Sequence, residues 1–278
     1  MTPSSHYIEL CGREVHYVEW GTRGNPPLIM WHGVARTSRD FDDIAMAMAN
    51  DRHIIAPDTI GRGYSEWSPE PAKEYNRKFY AQQAEGLLDA LHFNTVDWLG
   101  TSMGAIIGIE AAANNMQGRI RRFVLNDMGP VVAQAALDRI KSYAGAPPPK
   151  FKRVTELNAY FRQIYKPYGY MTDAQYTRLT ETSTRRNLDG TVSPHIDPEI
   201  KIHFFSNEEQ WDNWRKLTCD MLCLRGETSD LLLPEDCARM EQENPRCKVV
   251  TIKGCGHAPA LNVPDQIKLV SDFLNTGL

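Results

Sequence analysis

No apolar run in this chain approaches the roughly 20 residues that a membrane-crossing helix needs. The polar start Met1-Thr2-Pro3-Ser4-Ser5-His6 carries no signal-peptide core. Neither sign of charge dominates: 31 Lys and Arg stand against 35 Asp and Glu, a formal net charge of −4 that gives no reason to expect nucleic acid or an anionic membrane as partner. Cysteine is sparse and scattered. The 6 residues Cys11, Cys219, Cys223, Cys237, Cys247 and Cys255 form no C-x-x-C pair and have no His-rich companion, against a disulfide framework or zinc site. They read as free thiols in a reducing compartment, so a cytoplasmic location is expected. No G-x-G-x-x-G follows a strand, and there is no P-loop and no H-E-x-x-H. Internal repeats and low-complexity tracts are also lacking.

What is present is 278 residues of ordinary globular composition, enough for one large α/β domain or two small ones. Strands are expected at Tyr7–Leu10, Arg13–Trp20, Leu28–Trp31, around Arg52–Asp58, at Val96–Gly100 and at Arg122–Asp127. The stretch Val15-His16-Tyr17-Val18 alternates as a strand does, and the unbroken apolar run Leu28-Ile29-Met30-Trp31 suggests a buried parallel strand. Helices are expected over 39–50, with Ser38 as amino-terminal cap, and over 76–93. The alternation stops between about Met128 and Leu217. There Pro147-Pro148-Pro149 and amphipathic segments at Leu157–Tyr165, Tyr176–Thr184 and Phe204–Leu217 indicate a helical insertion. It resumes with strands at Met221–Gly226 and Lys248–Ile252 and helices at 234–240 and 264–274. The expected architecture is a doubly wound, mostly parallel sheet. Residues 1–127 and 218–278 would build it, 128–217 would be inserted, and ligand would bind beyond the strands' carboxyl ends.

The most informative stretch is Val96-Asp97-Trp98-Leu99-Gly100-Thr101-Ser102-Met103-Gly104. A strand runs into Gly-x-Ser-x-Gly and a small-residue helix follows, which is the layout of a nucleophile elbow. The sharp turn would lift the Ser102 hydroxyl into a pocket, with glycine required at 100 and 104 where strand and helix pass closely. His257, in the flexible loop Gly254-Cys255-Gly256-His257-Ala258-Pro259, is the expected base. Asp230, just past the strand ending at Gly226, is preferred as the acid that orients His257, with Asp127 as its rival and Glu227 behind both. The backbone N–H groups of Val34 and Met103 would receive a developing oxyanion. His32 is expected to tie loops together through its ring nitrogens, and Asp58 to cap turn donors. Trp31, beside the oxyanion loop, is a candidate substrate contact.

Taken together, His32-Gly33, Asp58 through Ser65 with Gly61 and Gly63, Gly100-Thr-Ser102-Met-Gly104, Arg225-Gly226 through Asp230, and Gly256-His257 resemble the α/β-hydrolase fold superfamily over nearly the whole chain. The insertion is similar to that superfamily's cap domain. The oxyanion segment His32-Gly33-Val34-Ala35 lacks both the His-Gly-Gly-Gly run of many lipases and the Gly-Pro-Gly-Ala pattern of ring-cleavage-product hydrolases. Serine at 102, where dehalogenases and epoxide hydrolases carry aspartate, argues against those activities. The resemblance implies a serine hydrolase of a small carboxylic ester, thioester or lactone, needing no metal or organic cofactor. The alternatives are hydrolysis of a carbon–carbon bond in a diketone-type substrate by the same triad, or a ligand receptor without turnover. A small-molecule substrate is the expected partner.

Overall fold

A computed structural model of the protein describes residues 2–138, 147–202 and 208–277. In chain order the strands are β1 (Ser4–Leu10), β2 (Arg13–Gly21), β3 (Pro27–Trp31), β4 (His53–Pro57), β5 (Val96–Thr101), β6 (Ile120–Asn126), β7 (Thr184–Arg186), β8 (Val192–Pro194), β9 (Asp220–Gly226) and β10 (Cys247–Ile252). Eight of them form one sheet in the order β1-β2-β4-β3-β5-β6-β9-β10. From β4 through β10 neighbours run parallel, while β2 is antiparallel to both β1 and β4. The apolar runs explain the centre: Leu28, Ile29 and Met30 on β3 are 0 % exposed, as a strand covered on both faces requires.

The main helices are α1 (Asp42–Met48), α2 (Arg77–Ala90), α3 (Met103–Glu110), α4 (Val154–Ile164), α5 (Asp173–Thr182), α6 (Trp211–Lys216), α7 (Pro234–Glu243) and α8 (Pro264–Thr276). Two apolar cores separate them by sheet face. Leu87 and Leu88 of α2, Ile107 of α3 and Met240 of α7 share one core with Trp98 and Phe123. Ile44 and Met48 of α1 and Val270 and Phe273 of α8 share the other with Leu28 and Leu99. The sheet is therefore doubly wound.

Residues 15–20 of the expected strand β2 are all buried, and His16 is accommodated inside by a 2.7 Å bond from Nδ1 to Asp58 Oδ2. Two local expectations need correction. Ser38 does not cap a helix. It opens a 3₁₀ turn (Ser38–Phe41) ahead of α1, and its own N–H donates to Asp58 Oδ1 at 2.7 Å. In the expected helix Phe204–Leu217 only α6 is found, and residues 204–207 lie outside the described residues.

Between β6 and β9 the chain leaves the sheet. Helices α4 and α5 match the two amphipathic segments, and they pack with the antiparallel pair β7–β8 around a small core of Leu157, Phe161, Tyr165, Leu179 and Val192. That hairpin escaped the sequence reading because strands of three residues are too short to show a period of two.

Candidate active site

Strand β5 ends at Thr101 and α3 begins at Met103, so the whole reversal falls on Ser102, at φ 52° and ψ −111°. A side chain in that conformation is strained, and the neighbours hold it there. A Cβ on Gly100 would stand 2.4 Å from the backbone of Gly104, and one on Gly104 would stand 2.0 Å from the Trp31 carbonyl oxygen. The two glycines thus let α3 lie directly on β5 and β3. Ser102 N–H donates to the Asn126 carbonyl at 3.0 Å, fixing the elbow against the end of β6.

His257 arrives on the loop between β10 and α8. Its Nε2 lies 2.8 Å from Ser102 Oγ and its Nδ1 lies 2.7 Å from Asp127 Oδ2. With Nδ1–H donating to the carboxylate, Nε2 is left to accept the serine hydroxyl proton. The loop approaches this closely because Gly226 has no side chain: a Cβ there would fall 2.1 Å from the Gly256 carbonyl oxygen. Gly256 N–H also donates to the Pro167 carbonyl at 2.6 Å, tying the histidine loop to the segment after α4.

The acid contradicts the preference for Asp230. Strands β6 and β9 are parallel neighbours in register Asn126 with Leu224, so the residue just past β6 faces the start of the turn after β9. Asp127 is 0 % exposed there. Its Oδ1 accepts Gly226 N–H at 2.7 Å, and its Oδ2 accepts the Ser229 hydroxyl at 2.6 Å as well as His257. The Arg225 guanidinium donates to the carbonyls of Leu232, Glu227 and Ser229, which winds the turn tightly and leaves Asp230 on its exposed side. Glu227 instead accepts Gly254 N–H at 3.0 Å at the base of the histidine loop. The order serine, aspartate, histidine is satisfied by Asp127 and Asp230 alike, so chain order could not separate them.

Gly33 brings the His32–Val34 segment beside Ser102: a Cβ placed on it would be 3.6 Å from Ser102 Cβ. Met103 is the first helical residue, so its N–H has no acceptor within α3. His32 has the bracing role expected of it, with Nδ1 donating to the Gly33 carbonyl at 2.6 Å and Nε2 accepting Thr59 N–H at 2.9 Å. Burial pushes its pKa down to about 4, which keeps the acceptor nitrogen free of a proton. Trp31 is corrected: it is 1 % exposed, stacks on Trp98 with centroids 5.4 Å apart, and donates to Thr59 Oγ1 at 2.8 Å, so its ring belongs to the core.

Three contributors went unremarked in the sequence. Ser229 and the Gly226 amide hold the acid, and nothing in a lone serine signals that. Arg62, 0 % exposed, donates from Nε to the Val34 carbonyl at 2.9 Å and places Nη2 3.7 Å from Met103 Sδ, so it links the segments of the two residues expected to receive an oxyanion. Its setting between Gly61 and Gly63 was a visible signal that the flanking backbone turns around it.

A cavity of about 320 Å³ opens on the α3 side, lined by Tyr75, Tyr80, Met103, Ile106, Val131 and Leu137 among others; it reaches the site through Met103, not through Ser102 or His257. Among the described residues no cluster of three or more His, Cys, Asp or Glu side chains is arranged to hold a metal ion. No helix among them is long and apolar enough to cross a membrane.

Residues 28–268 match the sequence model described as the alpha/beta hydrolase family. The chain is 34 % identical over 270 residues to a 3-hydroxybutyrate-oligomer hydrolase of Cupriavidus necator, covering 92 % of this chain and 91 % of that protein. It is 25 % identical over 266 residues to a 2-hydroxy-6-oxo-2,4-heptadienoate hydrolase of Pseudomonas putida, covering 90 % and 89 %. Among solved structures, an alpha/beta hydrolase from Novosphingobium aromaticivorans superposes with a TM-score of 0.87 at 28 % identity, covering 98 % of each chain.

Proposed function

The chain belongs to the alpha/beta hydrolase family and is an enzyme of the hydrolase type, and from that premise we propose that it cleaves a small carboxylic ester, thioester or lactone through an acyl-enzyme on Ser102. The observation that carries this reading is the continuous chain from Ser102 Oγ to His257 Nε2 at 2.8 Å and from His257 Nδ1 to buried Asp127 at 2.7 Å.

In the forward step Ser102 Oγ attacks the substrate carbonyl while its proton passes to His257 Nε2. The carbonyl oxygen becomes an oxyanion, received by the Val34 and Met103 N–H groups, an arrangement in which one donor is worth about 10²–10³ in rate. Asp127 stabilises the imidazolium. Collapse of the intermediate expels the alkoxide or thiolate, which takes the proton from His257. A water molecule then gives its proton to the same nitrogen, its oxygen attacks the acyl carbon, and the acid leaves as Ser102 regains its proton. No step calls on a metal or organic cofactor. The inserted helices α4 and α5 with the β7–β8 pair act as the cap that roofs the pocket, excluding water and selecting the acyl and leaving groups.

A fluorophosphonate probe tests the reading. Stoichiometric labelling at Ser102, abolished in H257A, is the expected result; a folded protein that leaves Ser102 unlabelled overturns it. The relative from Pseudomonas putida keeps a second reading in play, in which the same groups open a carbon–carbon bond beside a carbonyl. Comparing turnover of a vinylogous diketone with that of aryl esters separates the two.

A further inference from the structure

One buried cation next to Ser102 has no part in the triad. Arg36 is 2 % exposed although it follows the oxyanion segment, and its Cγ and Ser102 Cβ lie 3.8 and 3.6 Å from the point where a Cβ on Gly33 would stand. The arginine stem and the nucleophile therefore border the same small space. One edge of the guanidinium is occupied: Nε donates to Asp40 Oδ2 at 2.8 Å, and Nη2 also bonds that carboxylate. One face is covered by Tyr165, whose ring centroid is 4.5 Å from Cζ. The remaining nitrogen, Nη1, is buried with no hydrogen-bond partner among the described residues.

An unpaired guanidinium N–H in a dry setting is costly, so it is expected to be satisfied in the working complex. Its surroundings place that complex at the reaction centre. The Tyr165–Tyr168 turn is the segment that packs on the histidine loop: Pro167 O accepts from Gly256 N–H at 2.6 Å, and Tyr168 O accepts from Ala260 N–H at 3.0 Å. A second cavity, about 50 Å³, is lined by Asp40 and Tyr168 together with Thr101, Asn126 and Pro259, each of the last three one or two residues from a member of the triad; it adjoins Arg36 through its ion-pair partner Asp40, not through Arg36 itself.

We propose that Arg36 Nη1 is a substrate-recognition donor, and that the enzyme selects acyl groups carrying a second sp² oxygen, ketone, ester or carboxylate, a few bonds from the scissile carbonyl. The inference rests on the ester-hydrolase reading above. Asp40 already balances the arginine charge, so the site offers one directed N–H rather than a free cation, and both a neutral carbonyl and a carboxylate oxygen meet its demand. Substrate reaches it when the cap segment carrying Tyr165 lifts.

Phenyl esters of pentanoic, 4-oxopentanoic and succinic acid form a matched set: no second acceptor, a neutral one and an anionic one. In the wild type kcat/KM for at least one oxygenated ester is expected to exceed that for the pentanoate by about tenfold or more, the effect of one hydrogen bond from a charged donor. R36K keeps a cation opposite Asp40 but lacks the Nη1 donor, and it is expected to bring that ratio to within about twofold of unity. R36M, with its melting temperature measured alongside, provides the second variant. A purely structural Arg36 would lower all three rates together and leave their ratio as in the wild type. Equal wild-type rates on the three esters, or a ratio unmoved in R36K, overturn the proposal. If Ser102 is labelled by the phosphonate and the pentanoate turns over, only this inference has failed; an unreactive Ser102 is the separate failure of the ester-hydrolase reading.

Discussion

The turns after β6 and β9 stand side by side at the carboxyl edge of the sheet, and each carries an aspartate early in its exit. Only one of those carboxylates lies on the histidine. Asp127 sits at φ 57°, fully buried, with Gly226 N–H, the Ser229 hydroxyl and His257 all donating to it. Asp230 lies on the exposed side of a turn wound by Arg225. The β9 turn thus supplies donors to the acid instead of the acid itself. A buried carboxylate is retained where backbone and hydroxyl donors offset its lost hydration, and at this edge the β9 turn provides them to its neighbour.

The comparison is bounded first by the nucleophile. S102A is expected to lose about 10⁵–10⁶ in kcat on an aryl ester, because every proposed step passes through that oxygen. Purified protein with a circular dichroism spectrum like the wild type would give the clean measurement. The two acids come next. D127N should drop kcat by about 10⁴, the scale seen when an amide replaces the acid of such a triad, while D230N stays within about twofold of wild type. S229A sharpens the contrast by removing one donor from the β9 turn and none from the sheet. It should cost about tenfold in kcat with KM little changed, since the lost bond orients the acid and does not touch substrate.

The smallest expected effect lies in stability. Burial holds the His32 pKa at about 4 against 6.5 unperturbed, so on acidification the unfolded chain takes up that proton first. The contribution is complete above about pH 6.5 and is lost progressively as pH falls towards 4. Urea denaturation across that interval should show a stability slope that H32N flattens.

Much of the fold was legible because long apolar runs and glycine positions act through local sterics. Leu28–Trp31 reads as a buried strand from four residues alone, and Gly100 and Gly104 announce a close strand–helix passage. The Ser102–His257 pairing followed from the elbow and the last loop. The choice of acid did not, because it depends on the register of β6 against β9 and on a turn pulled tight by Arg225. Trp31 was likewise placed on the right strand but named a candidate substrate contact; stacking on Trp98 keeps its ring in the core, and no local pattern encodes that. Arg36 lay in plain view in Gly33-Val34-Ala35-Arg36, yet only its burial and unpaired Nη1 set it apart.

Whether Asp127 holds His257 for attack by Ser102 can be tested without knowing the substrate. The second-order rate of Ser102 phosphonylation can be compared in wild type, D127N and D230N. The expected result is a fall of about 10³-fold or more in D127N, with D230N indistinguishable from wild type. A collapse of the rate in D230N with D127N unaffected would contradict it.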